Sequence, residues 1–325
     1  MKLQQLRYLT AILDCGLNIS AAASRLHTSQ PGVSRQIKLL EDELGFELFL
    51  REGRALTRLT QSGQRVVERA RRIVREADAI KGMSLDVRDS KRGTLSIATT
   101  HTQARYVLPP VIEQFRRKYP QVRLHLHQGT SEQIAEMLNS EHVDLAIATA
   151  SREQFDHCVL LPCYEWYRRI AVPHDHPLAR TKSISLETLA AHPIVTYVFS
   201  LSGPSSLATT FEMAGLEPEI ALTARDADVI KTYVRLGLGV GIVAAMAIDA
   251  TEDADLVSID ASHLFPRHVT WLGFRRGIFL RRFAYDFIHL FAPHLEQSRV
   301  ATATSAENQQ AVDAIFREVD LPVYR

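Results

Sequence analysis

The sequence is poor in cysteine and tryptophan and contains no long apolar run. Three cysteines in 325 residues are an odd number and provide no disulfide framework. No stretch approaches the roughly 18 consecutive apolar residues that a transmembrane helix requires, so no membrane partner is expected. The first residues are amphipathic and lack the apolar segment of a signal peptide. These absences favour a globular protein of the cytoplasm.

The sequence also lacks the paired ligand motifs of a metal site. Structural zinc sites normally show two close pairs of ligands, and no such spacing occurs here. The nearest grouping consists of Cys158, Cys163, His157, His174 and His176. We therefore expect buried or incidental thiols, with no bound metal and no cofactor.

Charge is unevenly distributed along the chain. Residues 1–92 hold 17 Lys and Arg against 11 Asp and Glu, whereas residues 93–325 hold 21 against 26. The net charge of +1 therefore combines +6 on the first part with −5 on the second. A basic segment favours a partner of opposite charge, and the phosphate backbone of double-stranded DNA is the natural candidate.

Residues 18–44 have the spacing of two short amphipathic helices joined by a tight turn. The first helix repeats small and apolar residues at i, i+3, i+4 and i+7, namely Ile19, Ala22, Ala23 and Leu26. The second places Val33, Ile37 and Leu40 on one face. Thr28 or Ser29 can cap the second helix, and Pro31 suits its first turn because a missing N–H costs nothing there.

The polar face of the second helix can face solvent or DNA. An ordinary helical hairpin would leave it solvated. The preceding apolar helix (residues 6–13), a basic hairpin over residues 51–60 and the positive charge favour a helix-turn-helix with a wing. An α-helix fits the major groove, where its N-terminal side chains reach base edges. Candidate DNA contacts are Ser29, Gln30, Pro31, Ser34, Arg35, Lys38, Arg51 and Arg54.

A long helix is predicted from residue 61 to about residue 88. Small or apolar residues recur there at spacings of four and three, a seam of about three heptads. The seam consists of Val66, Ala70, Ile73, Ala77, Ile80, Ser84 and Val87. The helix either packs on its own domain or pairs with its copy in a second subunit. The heptad spacing favours the dimer, which would place two recognition helices on successive turns of one DNA face.

Beyond residue 93, short strands alternate with helices, and the first of these helices is predicted over residues 104–119. This order predicts parallel sheets covered by helices, with ligands beyond the carboxyl ends of the strands. Segments 99–103 and 199–206, together with Thr149, supply hydroxyls, one amide and few charges at those ends. Neutral donors at helix N-termini can bind a small oxyanion. Alternatively, these residues are helix caps and turn residues.

Two further features have open interpretations. Asp226 and Asp228 precede a predicted helix, which they cap unless they contact an amine-bearing inducer. Near the C-terminus an apolar helix face of about two turns is formed by Val312, Ile315, Phe316 and Val319. It is either a docking helix between subunits or a strip that is helical only in part.

The amino-terminal motif resembles that of LysR-type transcriptional regulators. The matching residues are Ala22, Ala23, Leu26, Ser29-Gln30-Pro31, Ser34, Leu40-Glu41, Leu44-Gly45, Leu48-Phe49, Arg51 and Leu59-Thr60 with Gly63. Segments 97–109, 144–149, 161–166, 226–241, 272–281 and 285–295 are similar to the branch that regulates cysteine biosynthesis. The resemblance implies a linker helix, usually within a tetramer, and a two-subdomain effector cleft of periplasmic-binding-protein type with two crossover strands.

The resemblance also implies an effector site for sulfate or acetylated serine. Its residues would be Thr100, Thr102, Gln103, Thr149 and Ser202. Trp166 is a weaker candidate, and burial in the core explains it equally well. The chain departs from the family in one segment, where Ser202 replaces a usual threonine and Pro204 a basic residue. The serine keeps the hydroxyl donor, but the neighbouring change leaves the ligand preference open.

We therefore predict an all-α winged helix-turn-helix domain (1–60), a linker helix (61–90), an α/β effector-binding domain (91–295) and a tail (296–325). The effector domain would divide into subdomain I (91–163 and 268–295) and subdomain II (164–267). The predicted function is regulation of sulfur-assimilation genes by a small anionic effector, without enzymatic activity. Partners would be promoter DNA and further copies of the chain in a dimer of dimers, with RNA polymerase a further candidate.

Two alternative functions are retained. One is a paralogous regulator of sulfonate or other alternative sulfur sources. The other, more distant, is an anion-binding solute-binding protein or an enzyme with a helical extension. Salt-dependent binding to an operator fragment would separate a regulator from this last class.

Overall fold

The computed structural model describes residues 1–53, 55–149, 155, 158–181, 183–201 and 206–324. Arg54 and Ser202, two predicted site residues, lie outside these ranges. The chain forms two compact units, Met1–Ser90 with Gly277–Arg282, and Lys91–Arg276 with Phe283–Arg325. Within the described ranges, no helix has both the length and the apolar character needed to cross a membrane.

The first unit is a three-helix core followed by a hairpin and a long helix. Its elements are α1 (Leu3–Asp14), α2 (Ile19–Arg25), α3 (Gln30–Leu44), β1 (Phe49–Glu52), β2 (Ala55–Leu59) and α4 (Gln61–Arg88). The side chain of Ser29 caps α3 by accepting from the N–H of Gly32 at 3.3 Å. Gly45 ends the helix in the left-handed conformation, with φ of 77°, which glycine adopts without strain. β1 and β2 pair antiparallel as the wing.

The apolar faces predicted for this unit form its core. Ala22 and Ala23 of α2 are buried, as are Val33, Ile37 and Leu40 of α3. The small alanines allow the helices to approach closely, and β-branched and leucine side chains fill the space between them. The spacing in residues 18–44 therefore predicted the correct helix faces.

Helix α4 divides into a packed part and an exposed part. Val67 and Ala70 are buried in the core of the first unit. Further along the helix, the seam residues Ile73 and Ile80 are 43% and 66% exposed in the single chain. The first turns of α4 therefore pack on the core of the first unit, whereas its later turns contact the segment Gly277–Arg282 and leave these two seam residues exposed. Pairing of the seam with a second copy stays a prediction.

The second unit has two lobes, each built on a mixed sheet. Lobe one contains a six-stranded sheet in the order β13-β6-β12-β5-β3-β4. Its elements are β3 (Arg92–Thr99), α5 (Leu108–Lys118), β4 (Gln121–Gln128), α6 (Ser131–Asn139), β5 (Leu145–Ala148), β6 (Cys158–Trp166), β12 (His268–Arg275), α10 (Arg282–Phe291), α11 (Gln297–Thr304), α12 (Gln309–Phe316) and β13 (Val323–Tyr324). β6 leaves this lobe and β12 returns to it, so they are the two crossover strands.

Lobe two contains a five-stranded sheet in the order β11-β7-β10-β8-β9. Its elements are β7 (Arg168–Pro173), α7 (Leu186–Ala190), β8 (Ile194–Tyr197), α8 (Leu207–Met213), β9 (Ile220–Ala224), α9 (Ala227–Arg235), β10 (Val240–Ala244) and β11 (Leu256–Asp260). Asp226 caps α9 by accepting from the N–H of Val229 at 2.9 Å.

Two predictions about the second unit need correction. The sheets are not purely parallel, because β12 runs antiparallel to β5 and β6, and β7 runs antiparallel to β10 and β11. The helix expected over residues 104–119 is interrupted, with a π-helical turn over Gln103–Val107 before α5. Pro109 and Pro110 have no backbone N–H, so an α-helical ladder cannot run continuously through this segment.

The C-terminal tail packs against the edge of the lobe-one sheet. β13 pairs in parallel with β6, and the side chain of Gln309 bonds both the N–H and the C=O of Leu160, at 3.0 and 2.8 Å. Val312 and Phe316 of α12 are buried. The predicted apolar face is helical only in part, because α12 ends at Phe316 and Val319 lies beyond it. Its helical part packs against β6 of the chain's own sheet.

Candidate functional site

The predicted recognition helix presents its polar side chains at the surface of the first unit. Gln30, Arg35 and Lys38 are exposed, as are Ser29 and Pro31. Ser34 is half-buried. The side-chain amide of Gln30 donates to the hydroxyl of Ser34 at 3.1 Å, so the first turns of α3 carry a preformed polar pair. Exposed amide, hydroxyl and guanidinium groups on one helix face are suited to base edges and phosphates.

A buried carboxylate in α3 positions the wing. Glu41 accepts from the N–H of Leu48 at 2.9 Å and of Phe49 at 3.4 Å, and from the guanidinium of Arg51 at 3.0 Å. Glu41 therefore holds the guanidinium of Arg51 within the wing, and Arg51 remains exposed. The sequence analysis did not identify this role for Glu41. A carboxylate eight residues before a strand gives no periodic signal, because only the fold brings it to the strand's backbone.

One hydrogen-bond network contains the predicted effector residues Gln103, Thr149 and Trp166. Thr149 follows β5, and its hydroxyl accepts from Trp166 Nε1 at 3.2 Å and lies 3.1 Å from the hydroxyl of Thr270. Gln103 donates to that same Thr270 hydroxyl at 3.4 Å and accepts from the hydroxyl of Tyr164. Thr270 and Tyr164, both on the crossover strands, were not among the predicted site residues.

Thr100 and Thr102 precede the π-helical turn at the carboxyl end of β3. The hydroxyl of Thr100 accepts from the N–H of Gln103 at 3.5 Å. The π-helical turn contacts the turn Ala245–Ala247, which follows β10 in the opposite lobe. Burial raises the pKa of Tyr197, at the end of β8, to about 12, although the hydrogen bond from the N–H of Ala244 opposes that shift. The carboxyl ends of β3 and β10 therefore meet across the cleft.

A second set of contacts joins the lobes beside these threonines. The hydroxyl of Tyr106 donates to Asp228, and Arg105 pairs with Glu252 at 2.8 Å. Burial and this bond to a carboxylate raise the pKa of Tyr106. His101, Asp226 and Asp228 place ligand atoms within 4.8 Å of one another, the one such grouping found in the described part of the chain. Asp226 accepts from the N–H of Val229 as the cap of α9, and Asp228 accepts from Tyr106, so both carboxylates already have protein partners.

Trp166 is buried at the crossover between the lobes. Its ring stacks on His268, with ring centres 4.6 Å apart, and its Nε1 is bonded to Thr149. Burial and the charge of Arg168 lower the pKa of His268 to about 3, so the imidazole is neutral at pH 7. Trp166 is thus both buried in the core and close to the cleft.

The tail also contacts this network. The ring centre of Tyr324 lies 5.3 Å from that of Tyr164, whose hydroxyl donates to Gln103. We expect Tyr324→Ala to lower the free energy of unfolding of the second unit by about 1 kcal/mol, since an aromatic pair is lost. Urea titration followed by tryptophan fluorescence measures this, with Tyr324→Phe as the matched control. A Tyr324→Ala variant as stable as the control would show that the contact with Tyr164 does not contribute to the free energy of unfolding.

The two units together define a class of protein. A winged helix-turn-helix unit combined with a two-lobed α/β unit, whose cleft is lined by polar donors, is the arrangement of a ligand-responsive transcription regulator. Residues 3–64 match the family described as bacterial regulatory helix-turn-helix protein, lysR family, and residues 88–296 match the LysR substrate binding domain. The chain belongs to the LysR family of DNA-binding transcriptional regulators.

Several relatives are HTH-type transcriptional regulators. The chain is 48% identical to the HTH-type transcriptional regulator CysB of Haemophilus influenzae, over 99% of each chain. It is 44% identical to the HTH-type transcriptional regulator SsuR of Burkholderia cenocepacia, over 93% of this chain and 98% of that one. The crystal structure of the cofactor-binding domain of the Cbl transcriptional regulator has a TM-score of 0.62 and 40% identity, covering 66% of this chain and 95% of the other. The predicted family, fold class and non-enzymatic character are confirmed.

Proposed function

We propose that this regulator controls sulfur-assimilation and cysteine-biosynthesis genes in the cytoplasm, in response to a small oxyanion such as sulfate or acetylated serine. The observation that carries the proposal is the hydrogen-bonded set of Thr100, Gln103 and Thr149 at the cleft, which offers hydroxyl and amide groups next to Thr102. Such neutral donors near a helix start bind a fully ionised oxyanion. The similarity to CysB supports the sulfur assignment.

Regulation requires that the effector bind two arrangements of the protein with different affinity. Tyr106 with Asp228, and Arg105 with Glu252, connect the lobes beside the proposed ligand, so a ligand between the lobes can change these contacts. The exposed Ile73 and Ile80 of α4 are suited to pair with a second copy. We therefore propose a dimer of dimers in which the α3 helices and wings read promoter DNA, with RNA polymerase a further partner.

The test is a calorimetric titration of sodium sulfate and of N-acetyl-L-serine into the full chain. Replacing Thr100 and Thr102 together by valine keeps their shape and removes both hydroxyls. We expect affinity to fall by about tenfold to a hundredfold, because hydrogen bonds to a charged group contribute roughly 1.5–3 kcal/mol. Promoter footprints without effector should remain, since α3 and the wing are unchanged.

Thr94→Val is the matched control. Thr94 is exposed on the same strand, away from its carboxyl end, and the variant should bind as the original chain does. Unchanged affinity in the Thr100 and Thr102 double variant would contradict the site assignment.

A second candidate function follows from the similarity to SsuR. In that case the chain would regulate genes for sulfonates or other alternative sulfur sources. Genome-wide mapping of the promoters that the protein occupies distinguishes the two functions. Occupancy of cysteine-biosynthesis promoters supports the first, and occupancy confined to sulfonate-use promoters supports the second.

A further inference from the structure

Arg168 is a buried cation with no anionic partner among the described residues. It begins β7 and is 2% exposed. Its Nη2 donates to the hydroxyl of Ser200 at 3.4 Å, and its guanidinium carbon lies 5.7 Å from the ring centre of Phe265. Its Nη1 is buried and has no hydrogen-bond partner. Among the residues that the structure describes, no carboxylate oxygen lies within 4.0 Å of this guanidinium.

A second buried cation of this unit has an anionic partner. Lys231 is also 2% exposed, but it donates to the carboxylate of Asp253 at 2.8 Å and to the carbonyl of Ala247 at 2.9 Å. An isolated charge in a protein interior is strongly unfavourable. Burial lowers the pKa of Arg168 to about 10, so the side chain still carries its charge at neutral pH. The fold thus keeps an uncompensated positive charge in place.

That charge lies beside the proposed effector site. Trp166, two residues before Arg168, donates to the hydroxyl of Thr149 at 3.2 Å, and the charge of Arg168 acts on the phenol of Tyr197. Ala244, which pairs with Arg168 across β7 and β10, donates its N–H to the hydroxyl of Tyr197 at 3.2 Å. His268 Nε2, close enough to Arg168 to feel its charge, is another buried atom without a partner. Unpartnered donors from lobe two and the crossover therefore adjoin the hydroxyls of lobe one.

We propose that Arg168 binds the anionic group of the effector directly, so that the cleft selects a small oxyanion through a guanidinium of lobe two as well as the hydroxyls of lobe one. This inference rests on the proposed function and specifies its ligand as a charged carboxylate or sulfate rather than a neutral metabolite. A guanidinium has two parallel N–H groups that match two oxygens of either anion. A ligand held from both lobes favours the closed arrangement of the cleft.

The test compares Arg168→Met with the original full chain, using sodium sulfate and N-acetyl-L-serine as probes. Removing a charge partner from a buried pair should weaken binding about 30-fold or more in calorimetry. The same change should raise the melting temperature measured without anion, since an unpaired buried charge is removed. The rise in melting temperature that sulfate causes should disappear, because that rise follows the affinity. Arg168→Lys, which keeps a charge but not the planar fork, should retain part of the affinity.

Arg267→Gln is the control for net charge. Arg267 pairs with Glu165 at 3.0 Å, and its side chain is 58% exposed, so its loss should leave affinity for both probes within about twofold. If Arg168→Met melts at a lower temperature and binds both probes normally, Arg168 is structural and the inference is overturned. Loss of binding in the Thr100 and Thr102 double variant alongside normal binding in Arg168→Met would refute the inference and leave the proposed function standing. Normal binding in both variants would refute both.

Discussion

Lys231→Met is expected to lower the free energy of unfolding of the second unit by about 3–5 kcal/mol. The ammonium group is buried and donates to Asp253 at 2.8 Å, and it lies 3.7 Å from Asp228, which accepts from Tyr106 of the opposite lobe. Methionine occupies similar space but leaves the buried carboxylate of Asp253 without this donor. Breaking a buried pair by removing one partner is costly because the remaining charge stays desolvated. Cooperativity between the lobes should fall as well.

Tryptophan fluorescence is the appropriate measurement, since Trp166 and Trp271 both belong to the second unit. Arg235→Met is the matched control on the same helix. Arg235 also pairs with Asp253, at 2.8 Å, but its side chain is 32% exposed, so we expect a loss of no more than about 1 kcal/mol. Equal losses of stability in the two variants would contradict the argument that burial makes the loss of Lys231 more costly than the loss of Arg235.

The Lys231–Asp253 pair predicts that the stability of the second unit depends on pH. Burial alone would raise the pKa of Asp253, but hydrogen bonds from Lys231, from the N–H of Asp249 and from Arg235 lower it below its ordinary value of 3.8. A depressed folded-state pKa contributes stability above the unfolded pKa, and that stability is lost as pH falls through the folded value. The original chain should therefore lose stability in the acid range below about pH 4. Lys231→Met should show a smaller loss there.

The first unit could be predicted closely from its sequence because its signals are local. The spacing of Val33, Ile37 and Leu40 defines one helix face, and Ser29, Pro31 and Gly45 mark the ends of that helix. Each of these signals depends on residues only a few positions apart in the sequence. The role of Glu41 is the exception, since its partners are determined by how the wing folds back on α3.

The effector site was only partly predictable, for the opposite reason. Thr100, Thr102 and Thr149 follow strands, and their position at a sheet edge follows from the order of the elements. Thr270, by contrast, meets Gln103 across 167 positions of sequence. The crossover strand β6 is buried along nearly its whole length, so it shows no alternation.

The burial of Arg168 could not be predicted from the sequence, because Arg168 begins a strand and the ligand sites of such sheets are expected where strands end. A basic residue ahead of a short strand normally indicates a solvated position. Only the packing of β7 between β10 and β11, beneath the Val198–Leu201 turn that carries Ser200, buries it. Its burial is therefore a property of the tertiary fold with no counterpart in the local pattern.

Gly63→Ala should destabilise the first unit by about 3 kcal/mol, at the upper end of the cost of overpacking. Replacing glycine by alanine in a helix normally stabilises it by roughly 0.5–1 kcal/mol, so the expected sign is reversed. A Cβ at Gly63 would lie 2.2 Å from the carbonyl oxygen of Leu48 and 3.1 Å from the hydroxyl of Thr60. The carbonyl of Leu48 also accepts from the N–H of Thr60 at 3.0 Å, so it cannot move without breaking the junction between the wing and α4.

The measurements are far-ultraviolet circular dichroism during thermal unfolding and anisotropy titration of a labelled promoter fragment. Gly63→Ala should lower the temperature of the transition assigned to the first unit and weaken binding to the fragment, because the wing loses its position beside α3. Ser62→Ala changes an exposed residue in the same helical turn and should alter stability by less than about 0.5 kcal/mol. Sulfate affinity should be unchanged in both variants, since the cleft lies in the other unit. A Gly63→Ala protein more stable than the original would mean that the backbone of Leu48 yields to the methyl group, and the junction would then not be the rigid support of the wing.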